Sequence, residues 1–201
     1  GAAFLAFVGL VDDRYDLGIR IKLVAMTISA SVVVLTGIHI QLFNHPIIDY
    51  PLTLFWIVAV TNATNFLDNM DGLAAGLSTI GAFFFMVIAV SQELSLVSAL
   101  SAAVLGSAAG FLSYNFKPAS SCMGDMGALP LGFVLAILGI KLEFGTQPLS
   151  VTWVIPILVL ALPVFDINLV IITRLMEGRS PGEAGRDHTS HRLMSIGISD
   201  R

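Results

Sequence analysis

From Gly72 to Val90 the chain reads GLAAGLSTIGAFFFMVIAV, an apolar run without one charged side chain. As a helix such a run is about 29 Å long, close to the thickness of a bilayer's hydrocarbon core. Further runs of this kind occupy Ile21–Ile38, Pro51–Leu67, Leu94–Tyr114, Met126–Ile140 and Leu149–Thr173, the last interrupted by Pro156, Pro163 and Asp166. Only 12% of the 201 residues are charged, against about 25% in a typical soluble domain. Mean hydropathy is +0.87. The expected fold class is therefore all-α, a polytopic transmembrane helical bundle of about six full spans plus a partial N-terminal one.

Gly1–Val11 is apolar but too short to span, and no basic segment precedes it as a signal peptide would require. It reads as the end of a membrane helix. The chain stops in polar sequence at Ile198-Ser199-Asp200-Arg201. The expectation is one integral membrane domain over 1–201, truncated at both ends. His39–Tyr50 is too polar and too proline-interrupted to span and is expected as a surface loop or small hairpin. Threading the runs back and forth leaves segments 12–22, 62–71, 115–125 and 174–201 on one side. Nine of the ten Lys and Arg residues fall there, with only Lys141 opposite. By the positive-inside rule that side is cytoplasmic. The single cysteine, Cys122, excludes an internal disulfide and a multi-cysteine metal site.

The polar clusters gather on the same side. TNATNFLDNMDGLAAG, Thr61–Gly76, joins two apolar runs through Asn62, Asn65, Asp68, Asn69 and Asp71. Spacings of three and four bring most of these close to one helical face. Helix capping explains one such residue, not five. Asp12 and Asp13 are adjacent, and neighbouring carboxylates suggest a cation or a shared proton, although a solvated loop reads the same way. Gly124-Asp125-Met126-Gly127 precedes a span; its glycines let backbone N–H groups approach an anion, and its Asp suits a hard metal such as Mg2+. A plain Gly-Asp turn is the alternative. The tail carries Arg174, Arg179 and Arg186-Asp187-His188-Thr189-Ser190-His191-Arg192. Basic residues with histidine fit phosphate binding better than a zinc pair, since the HExxH pattern is absent. Acidic metal-type positions and anion-binding cations at a membrane surface suit chemistry on a phosphate whose other half is lipid.

The motif order VDDRYDL…RIKL, NFLDNMDGLAAG, YNFKPA…MGDMGALPLG, PVFD and GRSP…DHTSHRL resembles the polyprenyl-phosphate N-acetylhexosamine-1-phosphate transferases, the glycosyltransferase family 4 group. The form of the second motif looks more like the teichoic-acid and enterobacterial-antigen type than the muramyl-pentapeptide type. The resemblance implies transfer of a sugar-1-phosphate, GlcNAc-1-phosphate foremost, from a UDP-sugar to undecaprenyl phosphate. UMP is released, and a lipid-linked cell-envelope glycan is started at the cytoplasmic face of a bacterial inner membrane. It implies Asp125 as ligand of Mg2+ or Mn2+, and Asp12 and Asp13 as catalytic groups at the acceptor phosphate and metal. Lys22 would neutralise phosphate. Asn65, Asp68 and Asp71 would shape the nucleotide site, with Asp71 towards the uracil. Asn115, His188, His191 and Arg192 complete the substrate-binding set. The implied partners are the UDP-sugar, the polyprenyl phosphate and the bilayer, with a homodimer by resemblance alone and no nucleic acid.

Three positions depart from the family pattern. Ser190 stands in the middle of the usual His-x-His-His, Cys122 where a Phe is common, and Ala128 where GDxGS has Ser. Rival readings are a CDP-alcohol phosphotransferase, whose signature begins like Asp68-x-x-Asp71-Gly72 but then fails at Gly76; an ion-coupled transporter using Asp71 and Asp166; and a family member that has lost catalysis.

Overall fold

The computed structural model describes residues 1–142, 149–180 and 187–197. Among these residues the regular structure is helical throughout: α1 Ala2–Tyr15, α2 Ile19–Leu35, α3 Pro46–Leu67, α4 Leu73–Ser91, α5 Ser95–Asn115, α6 Gly124–Lys141, α7 Leu149–Val159, α8 Ala161–Met176 and α9 Thr189–Ser195. Four of them, α3 to α6, are long and apolar enough to cross a membrane, and α7 with α8 make a fifth if the bent pair is one span. That is fewer than the six full spans expected. The shortfall is at α2, which has only 17 residues and carries Arg20 and Lys22 in its first turn.

One expectation changes with the structure, and the expected interruption of Leu149–Thr173 takes a definite form. His39–Tyr50 is not wholly a loop, because α3 begins at Pro46. Proline suits the first helical turn, where its missing N–H is not needed. Asp49, polar and yet 2% exposed, accepts the backbone N–H groups of Phe43 and His45 at 3.0 Å each. The turn before the helix is thus satisfied internally. The long run Leu149–Thr173 is two helices that meet at Leu160 at 78°. Pro163 has no N–H for the carbonyl four residues back, which is where the ladder breaks. The part of the expected turn Lys141–Gln147 beyond Leu142 lies outside the described residues, as do Arg186 and the C-terminal Ile198–Arg201.

α6 is the central element. It packs against α1 and α3, and more lightly against α4 and α5; α4 pairs with α5, α2 with α3, and α3 with α8. The core joins Leu5, Met26, Ile57, Phe85, Leu129 and Leu135, all nearly or fully removed from solvent. The indole Nε1 of Trp56 donates to the Ala136 carbonyl across the α3–α6 contact at 3.1 Å. In lipid such contacts depend on small residues that let backbones approach. A Cβ on Gly9 would collide with the Asp125 carbonyl, and one on Gly132 would stand 2.8 Å from Thr64. The α1–α6 crossing therefore requires glycine at position 9. It also fixes how α1 delivers its C-terminal acidic residues to the start of α6.

This gives a direct test. Gly9→Val should lower the thermal midpoint of the detergent-solubilised protein by several degrees, for a cost of about 1–3 kcal/mol. Gly110→Ala, inside α5 where a Cβ meets nothing within 4 Å, should not lower it.

Candidate active site

The end of α1, the starts of α2 and α6, and the end of α3 converge at one end of the bundle. Lys22, from the first turn of α2, is at the centre. Its Nζ donates to Asp12 Oδ2 at 3.0 Å and to Asp125 Oδ2 at 2.9 Å. Asn65, in the last turn of α3, donates its amide to Asp125 Oδ1 at 2.7 Å. Both oxygens of Asp125 are thus occupied. Asp12 differs: its Oδ1 is buried and without a hydrogen-bond partner. A buried carboxylate oxygen left unmatched is costly, and such an atom points to a missing ligand. One ammonium between two carboxylates leaves net negative charge in a half-buried site.

Among the described residues no three His, Cys, Asp or Glu side chains are grouped as a metal cage. Mg2+ does not need one, since it is usually held by one or two carboxylates plus substrate phosphates and water. Asp12 and Asp125, with an unsatisfied oxygen between α1 and α6, fit that mode of binding.

Asp13 faces α6 differently. Its two oxygens accept the backbone N–H groups of Asp125 at 2.8 Å and Met126 at 3.1 Å. It is a cap donated by a distant helix, and it uses the positive end of α6 that the sequence suggested for an anion. Gly124 has φ +63, and a Cβ there would lie 2.7 Å from Asp13 Oδ2. Glycine is needed at that position on both counts. Asp68, at the C-cap of α3, accepts the Gly124 N–H at 2.9 Å. Burial pushes the Asp68 carboxyl up to about 6; the Gly124 N–H opposes this, and the charges of Asp125, Asp13 and Asp71 add to it.

Asp71 and Asn115 hold the loops. Asp71 Oδ2 accepts the Ala119 N–H at 3.1 Å. The buried Asn115 accepts the Gly72 N–H and donates to the Ser121 carbonyl, both at 3.0 Å. They tie the segment after α5 to the start of α4. The positive φ of Gly72, +76, makes the turn between α3 and α4 possible.

The tail folds back on α8. Arg174 and Arg179 both pair with Asp187, at 2.9 Å and 2.8 Å, and hold its carboxyl far below the usual range. Arg192 donates to the Asp187 carbonyl and to Thr173 Oγ1, each at 2.9 Å. In this arrangement it fastens the tail. His188 is buried, its Nδ1 2.7 Å from Asp166 Oδ2. Its ring meets Phe66 at 5.9 Å and His191 at 6.4 Å, centroid to centroid. Ser190 Oγ donates to Asn69 Oδ1 at 3.1 Å, linking the tail to the turn after α3.

Of the residues singled out in the sequence, Asp12, Lys22, Asn65 and Asp125 form one directly bonded group. Asp13 and Asp68 join it through the backbone of α6. Asp71 and Asn115 organise the adjacent loops, and His188, His191 and Arg192 lie on the tail. A cavity of about 710 Å3 opens beside them, lined by Leu67, Met70, Asp71, Lys117, Asp166 and Ser190 among others; Asp12, Lys22 and Asp125 do not line it. Sequence reasoning missed Gly9, whose signal is only a small residue in an apolar helix. It also left Asp166 undecided between a satisfied kink residue and a functional one.

Because Asp68 holds its proton more tightly folded than unfolded, its contribution to stability is full below pH 4 and is lost as pH rises through about 6. Asp68→Asn keeps an acceptor for Gly124 N–H. The variant should flatten the fall of the thermal midpoint between pH 4 and 7 relative to the parent; an unchanged slope would contradict the assignment.

The family model for glycosyl transferase family 4 matches residues 1–143. Among curated proteins, the chain is 39% identical over its whole length to a Bacillus subtilis protein named "Probable undecaprenyl-phosphate N-acetylglucosaminyl 1-phosphate transferase", covering 58% of that protein. It is 32% identical to a decaprenyl-phosphate N-acetylglucosaminephosphotransferase of Mycobacterium leprae, over 99% of the chain and 57% of the relative. It is 30% identical to the undecaprenyl-phosphate alpha-N-acetylglucosaminyl 1-phosphate transferase of Escherichia coli K12, over 100% of the chain and 58% of the relative. The chain thus spans under three fifths of the length of these curated relatives.

Proposed function

The chain belongs to glycosyl transferase family 4, and from that premise we propose that it carries the site at which GlcNAc-1-phosphate passes from a UDP-sugar to a polyprenyl phosphate, with release of UMP. The observation that carries the reading is the bonded group Asp12–Lys22–Asp125–Asn65 at the meeting point of four helix ends. Membership in the family leaves the CDP-alcohol phosphotransferase and transporter readings without support.

Asp125 and Asp12 would hold Mg2+, which when bound screens the diphosphate and stabilises the charge that develops on the departing UMP. Lys22 supplies a fixed positive charge between the same carboxylates, so phosphate oxygens entering the site meet a cation that needs no reorganisation. Asn65 orients the Asp125 carboxylate by holding Oδ1. Asp13 fixes the start of α6 and with it the position of Asp125. Asp12, with its free oxygen, is the group placed to act on the acceptor phosphate, either as a base for direct attack or as a covalent nucleophile. Asp71 and Lys117, at the rim of the cavity, are assigned to the nucleotide side, and His188 and His191 to the diphosphate and sugar. The working face is cytoplasmic on the distribution of Lys and Arg. Donor, acceptor lipid and membrane are the partners of the reaction.

The test is UMP release by the full-length protein in membranes supplied with undecaprenyl phosphate and Mg2+, with UDP-GlcNAc, UDP-GalNAc and UDP-MurNAc-pentapeptide as donors. Release should depend on Mg2+, favour UDP-GlcNAc, and fall by at least about 100-fold in Asp125→Asn and Lys22→Met. Metal-independent release, or full activity in Asp125→Asn, would overturn the reading.

A further inference from the structure

Asp166 is the one acidic residue in the apolar part of α8, 2% exposed and three residues past Pro163. A carboxylate at such a place is costly unless it is paired and hydrogen-bonded. Both of its oxygens are used, and both by the tail: Oδ2 meets His188 Nδ1 at 2.7 Å and Oδ1 accepts the Thr189 N–H at 2.7 Å. One carboxylate therefore fixes the ring of one residue and the backbone of the next. The 78° bend between α7 and α8 sets the direction of the helix segment that presents it.

We propose that Asp166 is a positioning residue that holds His188 with its proton on Nδ1, so that Nε2 is the ring atom offered to the substrate's phosphates. The inference rests on the transferase reading and adds to it a residue that acts through His188. An ionised carboxylate only accepts hydrogen bonds, so the nitrogen facing it must carry the proton. Nε2 is then the free position, an acceptor in the neutral ring and a donor in the protonated one. The other constraint on the ring comes from α3. Phe66 packs edge-on against it, and the residue before Phe66, Asn65, holds Asp125. The end of α3 thus touches both parts, the His188 ring through Phe66 and Asp125 through Asn65.

A purely structural role would be to anchor α9 through the Thr189 N–H. Asp166→Asn separates the two, because an asparagine oxygen can still accept that N–H while its NH2 group can only donate to Nδ1. In long-range 1H–15N spectra of protein labelled with 15N-histidine, His188 should show the Nδ1–H tautomer in the parent and the Nε2–H tautomer in Asp166→Asn. This readout does not need turnover, so it stands even if the transferase reading fails. In the UMP-release assay, Asp166→Asn should lower kcat by about 10- to 100-fold, and should cost nothing further in a His188→Gln background. An Nε2–H ring in the parent, or losses that multiply in the double variant, would overturn the proposal. If Asp166→Asn does not fold, Asp166→Glu is the second variant: it should keep the Nδ1–H tautomer with a lowered kcat, and parental kcat with the other tautomer would refute the role. A parent that releases no UMP would refute the transferase reading and leave the tautomer assignment to be judged on its own.

Discussion

Lys22 is the cation on which the rest of the arrangement depends. Two carboxylates about 4 Å apart repel by roughly 4 kcal/mol at the effective dielectric of a protein surface. Asp12 and Asp125 come from helices that are far apart in sequence but pressed together at Gly9. The ammonium of Lys22, bonded to both, makes that approach tolerable and brings the start of α2 into the same corner. Removing Lys22 would leave the two carboxylates facing each other with no counter-charge in a half-buried site. The bundle is therefore organised around a charged group at its end as much as around its apolar middle.

Around that group, polar residues serve two separable purposes. Asp13, Asn115 and Asp71 satisfy backbone N–H groups and fix the loops and helix starts. Asp12 keeps one oxygen unsatisfied, and Asp68 is pushed towards neutrality by burial and by its acidic neighbours. Groups of the first kind serve the fold by accepting backbone N–H groups, whereas Asp12 keeps acceptor capacity that the fold does not use. The tail follows the same division: Asp187 and Arg192 fasten it to α8, while His188 keeps one nitrogen uncommitted.

Much of this was legible in the sequence. The uncharged run at Gly72–Val90 corresponds to α4, and threading the runs puts the segments that carry Asp12, Lys22, Asn65 and Asp125 on one side; the direct bonds among these four side chains emerge only in the fold. What was not legible has physical causes. The start of α3 at Pro46 was hidden because HPIIDY looks polar, and only the folded turn reveals that Asp49 accepts the backbone N–H groups of Phe43 and His45. The 78° break in Leu149–Thr173 needed tertiary packing to fix its angle, although Pro163 marked its place. Asp13 looked like the twin of Asp12. Adjacent residues on a helix point about 100° apart, so one faces Lys22 and the other the backbone of α6.

The central claim, that Asp12 and Asp125 with Lys22 form one metal-dependent phosphate site, is tested most directly by Mn2+ binding to the purified full-length protein, followed by electron paramagnetic resonance with and without UMP. The account predicts a single Mn2+ site that tightens when UMP is present, is abolished in Asp125→Asn and is weakened in Asp12→Asn. Mn2+ binding that is indifferent to UMP, or that survives in Asp125→Asn, would contradict it.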